Sequence, residues 1–518
     1  MSLIKEAYQA LESIVGEENI SNDPVICEAQ MGGAGGTNVW DKGNIRPACV
    51  VLPKTTREVQ DIILIANRYK LPYIPTSASM SVFLSATLPN TIIIDLKRMN
   101  RIEIDDKNMF AVCESGVCSA DLFAEVTKKG LWYVVPACGG QACVVANTAV
   151  HGMAPSMYRF GYPYRRILAT EWVLPNGELL NLGSTSLLRD YFWGEGPGPD
   201  LRGILRGTLG PFGGMGVITK MAVKLLPFQP EALEPTGISP ITALKLPPKR
   251  MKYFNITFPT IEVAVDGLYE IGRSEIGVMS IMIASIFRYV ARARGQGTAA
   301  FWEEWSKAED NIDWKNTFVR VLLIGSTSEK QLIYEEQVLK DIVAELGGKI
   351  KEGRPIDESQ LTSPDAICSF FVTGTFHPTE LTFESLDAAL KIARLRAEAR
   401  KKYRGILAED HGYLGWMYAT ELAHMSYYEF ISYGDIEDKE SLSKLELESM
   451  LSDIEVGGFT MYQDASILGP AWLNYHETLR DIKKTFDPNN VSNPPNPERM
   501  LWNAFPEGLA KKSSDNWS

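Results

Sequence analysis

The apolar positions change their period along the chain, and that change marks out its parts. Ala48–Leu52 is apolar almost throughout, as in a short strand buried on both faces. Val59, Ile62, Ile63 and Ala66 then recur at helical spacing, and Thr55 with Glu58 makes a capping box that opens the helix. Strands are expected at Leu71–Ile74 and Thr91–Leu96, so the stretch from Pro47 to Asp106 reads strand, helix, strand, strand. Asn100–Ile104 and Met109–Glu114 form a strand pair, followed by a helix over Ser119–Lys129 that stops at Gly130. Ile167–Leu174 and Glu178–Leu182, joined by Pro175-Asn176-Gly177, have the pattern of a β-hairpin. Val217–Leu226 is a further strand, and Phe228–Lys249, with its five prolines, reads as a linker. Beyond it the strands Tyr253–Phe258, Phe318–Ile324 and Phe370–Thr375 alternate with the charged helices Glu329–Leu346 and Phe383–Tyr403. That alternation predicts an α+β domain with an antiparallel sheet. From Leu473 a helix leads into an extended tail, FDPNNVSNPPNPERMLW.

Two stretches break the pattern in a way that suggests a ligand. Between Val134 and Gly152 the chain is glycine-rich and almost uncharged, the composition of a coil that turns tightly and lies close to something. The hairpin that follows would hold such a coil rigidly, and Asn147 and Thr148 add small hydrogen-bonding groups. The second stretch, Gly210–Pro227, places Gly213, Gly214 and Gly216 just before a strand. Between Pro75 and Pro89 lies a small, uncharged loop rich in serine and threonine.

Composition narrows the class of protein. A chain of 518 residues has room for two or more domains with substantial cores. A net charge of −12 argues against a nucleic-acid partner. The amino terminus reads as a charged amphipathic helix and not as a signal peptide. The longest apolar run, Ile276–Phe287, is too short to span a bilayer as a helix. Seven cysteines without CxxC spacing read as reduced residues of a cytoplasmic protein, and five dispersed histidines offer no metal site.

In order along the chain, RPACVVLPKTTREVQDIILIANRYKLPYIP, IIIDLKRMNRIEID, VCESGV, VPACGGQACVVANTAVHG, GYPYRRILATEWVLPNGELLNLG, GPFGGMGVITKM, SPDAICSFF and DPNNVSNPP resemble segments of the vanillyl-alcohol oxidase and p-cresol methylhydroxylase group of FAD-linked oxidoreductases. The resemblance covers nearly the whole chain. It implies an α+β protein: a two-part FAD-binding domain of the p-cresol methylhydroxylase type over residues 1–228, an α+β substrate cap over 229–470, and a segment over 471–518 that returns to the FAD domain. It further implies that the FAD pyrophosphate lies on Thr76, Ser77, Ala78, Ser79, Met80 and Ser81. A second flavin loop would use Pro136, Gly139, Gly140, Asn147, Thr148, His151 and Gly152. Gly216, Val217 and Ile218 would meet the adenine end. The chemistry implied is hydride removal from an alcohol, hydroxy acid or alkyl-aromatic carbon, with electrons passed to oxygen, a quinone or a carrier protein, in a homo- or hetero-oligomer.

Departures from the family pattern bear on that reading. The pyrophosphate loop has no glycine, with Ser79 where one is usual, and Ala146 replaces another. Positions that match the phenolate-binding tyrosines and arginine are Leu84, Tyr462 and Gln463, so one such group survives. Tyr162 falls where an acidic residue near the flavin is expected. Cys368 falls at or beside the histidine that tethers covalent flavin, which leaves FAD held non-covalently. Tyr162, Tyr462, Gln463 and Cys368 are the candidate catalytic residues. Tyr418, Glu421 and His424 are polar enough to line a pocket, and Arg288, Arg292 and Arg294 make a local basic cluster. The alternative reading is a flavin-free subunit that keeps the fold within a larger redox complex.

Overall fold

The computed structural model describes residues 5–31, 45–78, 86–150, 152–183, 200–205, 214–228, 236–238, 241–243, 249–283, 296–308, 318–352, 377–403, 416–432, 441, 445 and 475–494. They build three larger sheets, two two-stranded ribbons and the helices that cover them.

The first sheet runs in the order Ile20–Ser21, Cys49–Val51, Ile92–Asp95, Tyr73–Thr76, with the last three strands parallel. Parallel neighbours need a crossover, here the helix Thr56–Tyr69. Its buried face is Val59, Ile62, Ile63 and Ala66, as the periodicity predicts. The Thr55 hydroxyl caps the Glu58 N–H, while the Glu58 carboxylate reaches past the expected partner to accept from Lys54 N–H at 2.6 Å. The helix Lys5–Val15 lies beside it, adding Ala7 and Leu11 to one core with Tyr73, Ile92 and Ile94. The strand expected from Leu71 starts two residues later, at Tyr73.

The second sheet is antiparallel, in the order Ile102–Asp105, Phe110–Glu114, Val217–Lys224, Ile167–Val173, Leu179–Leu182. The hairpin Ile167–Leu182 forms as expected, with Gly177 at φ +87° in its turn. The helices Ser119–Thr127 and Val144–Ala149 close this sheet through Leu122, Val126, Val144 and Val145. The two sheets are tied by side chains of the crossover helix. Thr56 Oγ1 donates to Glu171 at 2.5 Å, Gln60 to the Gly177 carbonyl at 2.9 Å and Asn67 to that of Pro175 at 2.7 Å.

The third sheet has seven antiparallel strands: Lys349–Glu352, Met251–Thr257, Phe318–Ile324, Met279–Ile283, Trp416–Thr420, Met425–Ser432 and His377–Glu384. The helices Ile261–Arg273 and Glu329–Glu345 pack on it through Leu268, Ile271, Leu332 and Leu339. The chain therefore combines α-helices with largely antiparallel sheets, the fold class read from its pattern.

Two local expectations are corrected. The stretch Val134–Gly152 is not coil throughout: Val144–Ala149 is helical, because burial against the second sheet outweighs the weak helix preference of its valines. The linker Phe228–Lys249 contains a two-stranded ribbon, Thr236–Ile238 with Ile241–Ala243. Among the described residues no helix is long and apolar enough to cross a membrane.

Candidate functional site

The strand Tyr73–Thr76 delivers the serine-rich loop to the edge of the first sheet. Thr76 is buried, and its hydroxyl has no hydrogen-bond partner among the described residues. Ser77 follows, hydrogen-bonded to the Cys143 sulfur of the neighbouring loop, and Ala78 is half-buried beside it. A buried hydroxyl left without a partner costs about 1–3 kcal/mol. Thr76→Val, which keeps the shape, is therefore expected to leave the apoprotein equally stable or more so while weakening FAD. Thermal melting and FAD titration check the two halves separately, and unchanged FAD affinity would remove Thr76 from the site.

Facing that loop is Pro136–Gly152. The Gly139 N–H closes a turn onto the Pro136 carbonyl at 3.1 Å, with Gly139 at φ +113°, and Gly140 is buried next to it. The helix Val144–Ala149 then presents Asn147 and Thr148, both buried. The Thr148 hydroxyl and the Asn147 side-chain N–H group are both without a hydrogen-bond partner among the described residues. Gly152 donates its N–H to the Asn147 carbonyl at 2.9 Å, and a Cβ there would sit 1.9 Å from the Asn147 side-chain oxygen. Glycine is required at that close approach. Neutral hydroxyl and amide groups without a described partner at Thr76, Asn147 and Thr148, beside the Gly139–Gly140 turn, fit a pyrophosphate-bearing cofactor, which such groups hold without lysine.

Gly216–Ile218 is placed by a different device. Gly216 has φ +93° and lies so close to the Val173 carbonyl that a Cβ would be 2.3 Å away. Its N–H is committed to Ser492 Oγ at 2.9 Å. Val217 and Ile218 pair with Val173 and Trp172, and the Ile218 carbonyl accepts from the Ser115 hydroxyl.

Tyr162 is fully buried and stacked on Tyr164, with centroids 5.5 Å apart. Burial holds it well above the ordinary tyrosine range, so it stays a neutral phenol. Beside it, Arg165 pairs with Glu421 at 2.8 Å, and the Glu421 and Leu422 N–H groups donate to the Met157 and Tyr158 carbonyls. His424 is exposed.

Tyr418, on the strand Trp416–Thr420, marks one face of the third sheet. Asn255 pairs with Arg320, Arg320 with Ile281, Ile281 with Tyr418 and Tyr418 with Tyr427, so all five share that face. Trp416 and Glu429, also paired, lie two residues along on the same side. Arg320 Nε donates to Asn255 at 3.1 Å, and the Tyr427 hydroxyl donates to Glu429 at 3.2 Å. Glu429 feels the field of few cations; burial pushes its carboxyl up to about 7. Its charge in turn acts on Cys138, whose thiol is pushed up to about 12, mainly by burial. A carboxyl balanced near neutrality, a guanidinium and two phenols thus share one face, and the carboxyl acts on Cys138 in the Cys138–Gly140 turn. Sequence reasoning reached Tyr418 but not Arg320, Tyr427 or Glu429. The available signal was a carboxylate inside the aromatic strand YYEF.

Ser79, Met80, Ser81, Leu84, His151, Cys368, Tyr462 and Gln463 lie outside the described residues, as do Arg288, Arg292, Arg294 and the strand expected at Phe370–Thr375. Among the described residues no three His, Cys, Asp or Glu side chains converge to hold a metal ion.

Comparison with known proteins bears on this arrangement. Residues 47–183 match the FAD binding domain family. A D-lactate dehydrogenase of Anaerostipes hadrus is 28% identical over 187 residues, 36% of this chain and 38% of that protein. A D-lactate dehydrogenase of Archaeoglobus fulgidus is 22% identical over 485 residues, 87% of this chain and 91% of that one. The match to the first of these thus spans under two-fifths of its relative's length. Among solved structures, p-cresol methylhydroxylase with substrate bound superposes with a TM-score of 0.76, covering 97% of this chain and 99% of that one at 18% identity.

Proposed function

We propose that this chain, with an FAD-binding domain over residues 47–183 and the fold of p-cresol methylhydroxylase, is an FAD-dependent oxidoreductase acting on a small 2-hydroxy acid. The observation that carries the reading is the shared polar face of the third sheet, Asn255, Arg320, Tyr418, Tyr427 and Glu429, whose Glu429 carboxylate acts on Cys138 at the start of the Gly139–Gly140 turn. FAD supplies the hydride acceptor when bound. In this reading residues 1–228 hold it, non-covalently, 229–470 form the cap and 471–518 return to the FAD domain.

The chain's own residues then divide the work. Thr76, Ser77, Asn147 and the Gly139–Gly140 turn hold the cofactor. Arg320 orients the substrate carboxylate, a charge-assisted contact that planar guanidinium suits. Glu429, balanced near pH 7, takes the hydroxyl proton as hydride leaves the same carbon. The neutral phenols of Tyr162, Tyr418 and Tyr427 donate hydrogen bonds and keep water out. The relatives named for D-lactate support a hydroxy acid. The substituted phenolate positions Leu84 and Gln463 argue against a phenol. Each missing charge-assisted hydrogen bond removes about 1.5–3 kcal/mol of phenolate binding. With this reading go a cytoplasmic location, an oligomeric assembly and electron transfer to oxygen, a quinone or a carrier protein, consistent with the free thiols of the described cysteines.

The test is anaerobic mixing of the yellow holoprotein with D-lactate, glycolate or 4-cresol. Bleaching of the visible flavin band by a hydroxy acid, and not by 4-cresol, is expected. Bleaching by 4-cresol alone would overturn the substrate class, and a folded, colourless protein that takes up no added FAD would favour the flavin-free subunit.

A further inference from the structure

Two thiols outside the proposed catalytic set stand face to face. Cys118 precedes the helix Ser119–Thr127, Cys143 precedes Val144–Ala149, and their residues form an isolated antiparallel bridge. The bridge is closed by Ser119 N–H to the Ala142 carbonyl and Val144 N–H to that of Val117, each at 2.9 Å. The cysteines' own backbone groups take no part in it, so they are a non-hydrogen-bonded pair. In such a pair facing Cα atoms lie about 4.5 Å apart, within the roughly 4.4–6.8 Å that a disulfide spans. Their side chains point to one side, and the Cys143 thiol donates to the Gly116 carbonyl at 3.7 Å.

We propose that Cys118 and Cys143 are a hydroperoxide-reactive dithiol that closes to a reversible disulfide beside the cofactor loops. Cys118 reacts first. It is half-buried while Cys143 is 4% exposed. It also stands at the N-cap of a nine-residue helix, whose dipole favours an anion there. Cys143 beside it holds the Cys118 thiol below its ordinary range, against burial and the nearby Asp121. The Cys118 sulfur attacks the hydroperoxide, forming an S–O bond as O–O breaks and alcohol or water leaves with the thiol's proton. The Cys143 sulfur then attacks Cys118, S–S forms as S–O breaks, and the Cys143 proton leaves with the hydroxyl as water. Two thiols are oxidised by two electrons and one peroxide is reduced by two.

The pair sits at a joint. Ser77 hydrogen-bonds the Cys143 sulfur. Ala120 N–H donates to the Gly140 carbonyl at 2.9 Å, and Ser119 Oγ to that of Ala142 at 2.7 Å. Closing the disulfide therefore ties the helix start to the glycine turn and takes the Cys143 thiol from Ser77.

Reduced full-length protein treated with hydrogen peroxide, blocked with iodoacetamide and digested without reductant provides the test. A peptide joining Cys118 to Cys143, lighter by two hydrogens and released by dithiothreitol, is expected. Cys143→Ser should instead stop at a Cys118 sulfenic acid captured by dimedone, and the oxidised wild type should melt at a higher temperature than the reduced. Wild-type protein with both cysteines alkylated after peroxide treatment, or with either joined to a different cysteine, overturns the proposal without recourse to a variant.

Discussion

Glu429→Gln is expected to lower turnover by about 10²–10⁴-fold, the range for losing a general base, and at the same time to stabilise the protein at neutral pH. The opposed signs follow from one fact. Burial pushes the Glu429 carboxyl up to about 7, whereas the unfolded chain releases that proton near about 4.3. Between those values the folded protein holds a proton that the unfolded chain has lost, so stability falls as pH rises through that window. Below it the carboxyl is neutral in both states and carries no penalty; above about 7 the penalty is complete, up to about 4 kcal/mol. Glutamine keeps the shape and accepts from Tyr427 without acquiring charge. Melting temperatures of both proteins at pH 5 and pH 8, set beside turnover, check this. A variant that keeps the wild-type pH slope, or full turnover, would remove Glu429 from the role given to it.

Asp487→Ala is expected to destabilise the protein by about 3–5 kcal/mol, the loss when one partner of a buried ion pair is removed, and to release FAD. Asp487 is 2% exposed. Its carboxylate accepts from Val491 N–H at 3.0 Å, Ser492 N–H at 2.9 Å and Lys483 Nζ at 2.5 Å. The same ammonium donates to the Gly214 and Ser492 carbonyls, both at 2.5 Å. Ser492 Oγ in turn accepts from Gly216 N–H, while Val491 and Asn493 bond the Tyr73 backbone at 2.8 Å. Alanine would leave the ammonium without its counter-charge and two backbone N–H groups without acceptors, and would loosen Gly214–Gly216 and the strand that feeds the Thr76 loop. Melting temperature and FAD retained after desalting measure the two effects. Asp487→Asn, keeping the shape and one acceptor, should fall between. An unchanged melting temperature in Asp487→Ala would show that the tail contributes little to holding these segments.

The elements legible in the chain are those with local causes. Thr56–Tyr69 was readable because its cap, its apolar spacing and its stop lie within a few turns of one another. The hairpin Ile167–Leu182 was readable because a Pro-Asn-Gly turn sets its own register. Gly139 and Gly152 announced close approaches by composition alone, although what they approach was not legible: at Gly152 it is the Asn147 side chain. Val144–Ala149 carries no local signal strong enough to declare a helix, and forms where burial on the second sheet rewards it.

The polar face of the third sheet had no local signature at all. Asn255, Arg320, Tyr418 and Glu429 come from four strands dispersed through the chain, and each is an ordinary residue in its own segment. Only the pairing register brings them to one side, since a slip of one residue would turn each strand's side chains to the opposite face. The same holds for Ser492 and Gly216, 276 residues apart and joined by one hydrogen bond. Backbone propensity and turn chemistry act over a few residues, so the sequence determined the elements and the cofactor class. Strand register and the buried polar contacts it imposes act between distant segments, so tertiary structure alone decided which side chains share the polar face.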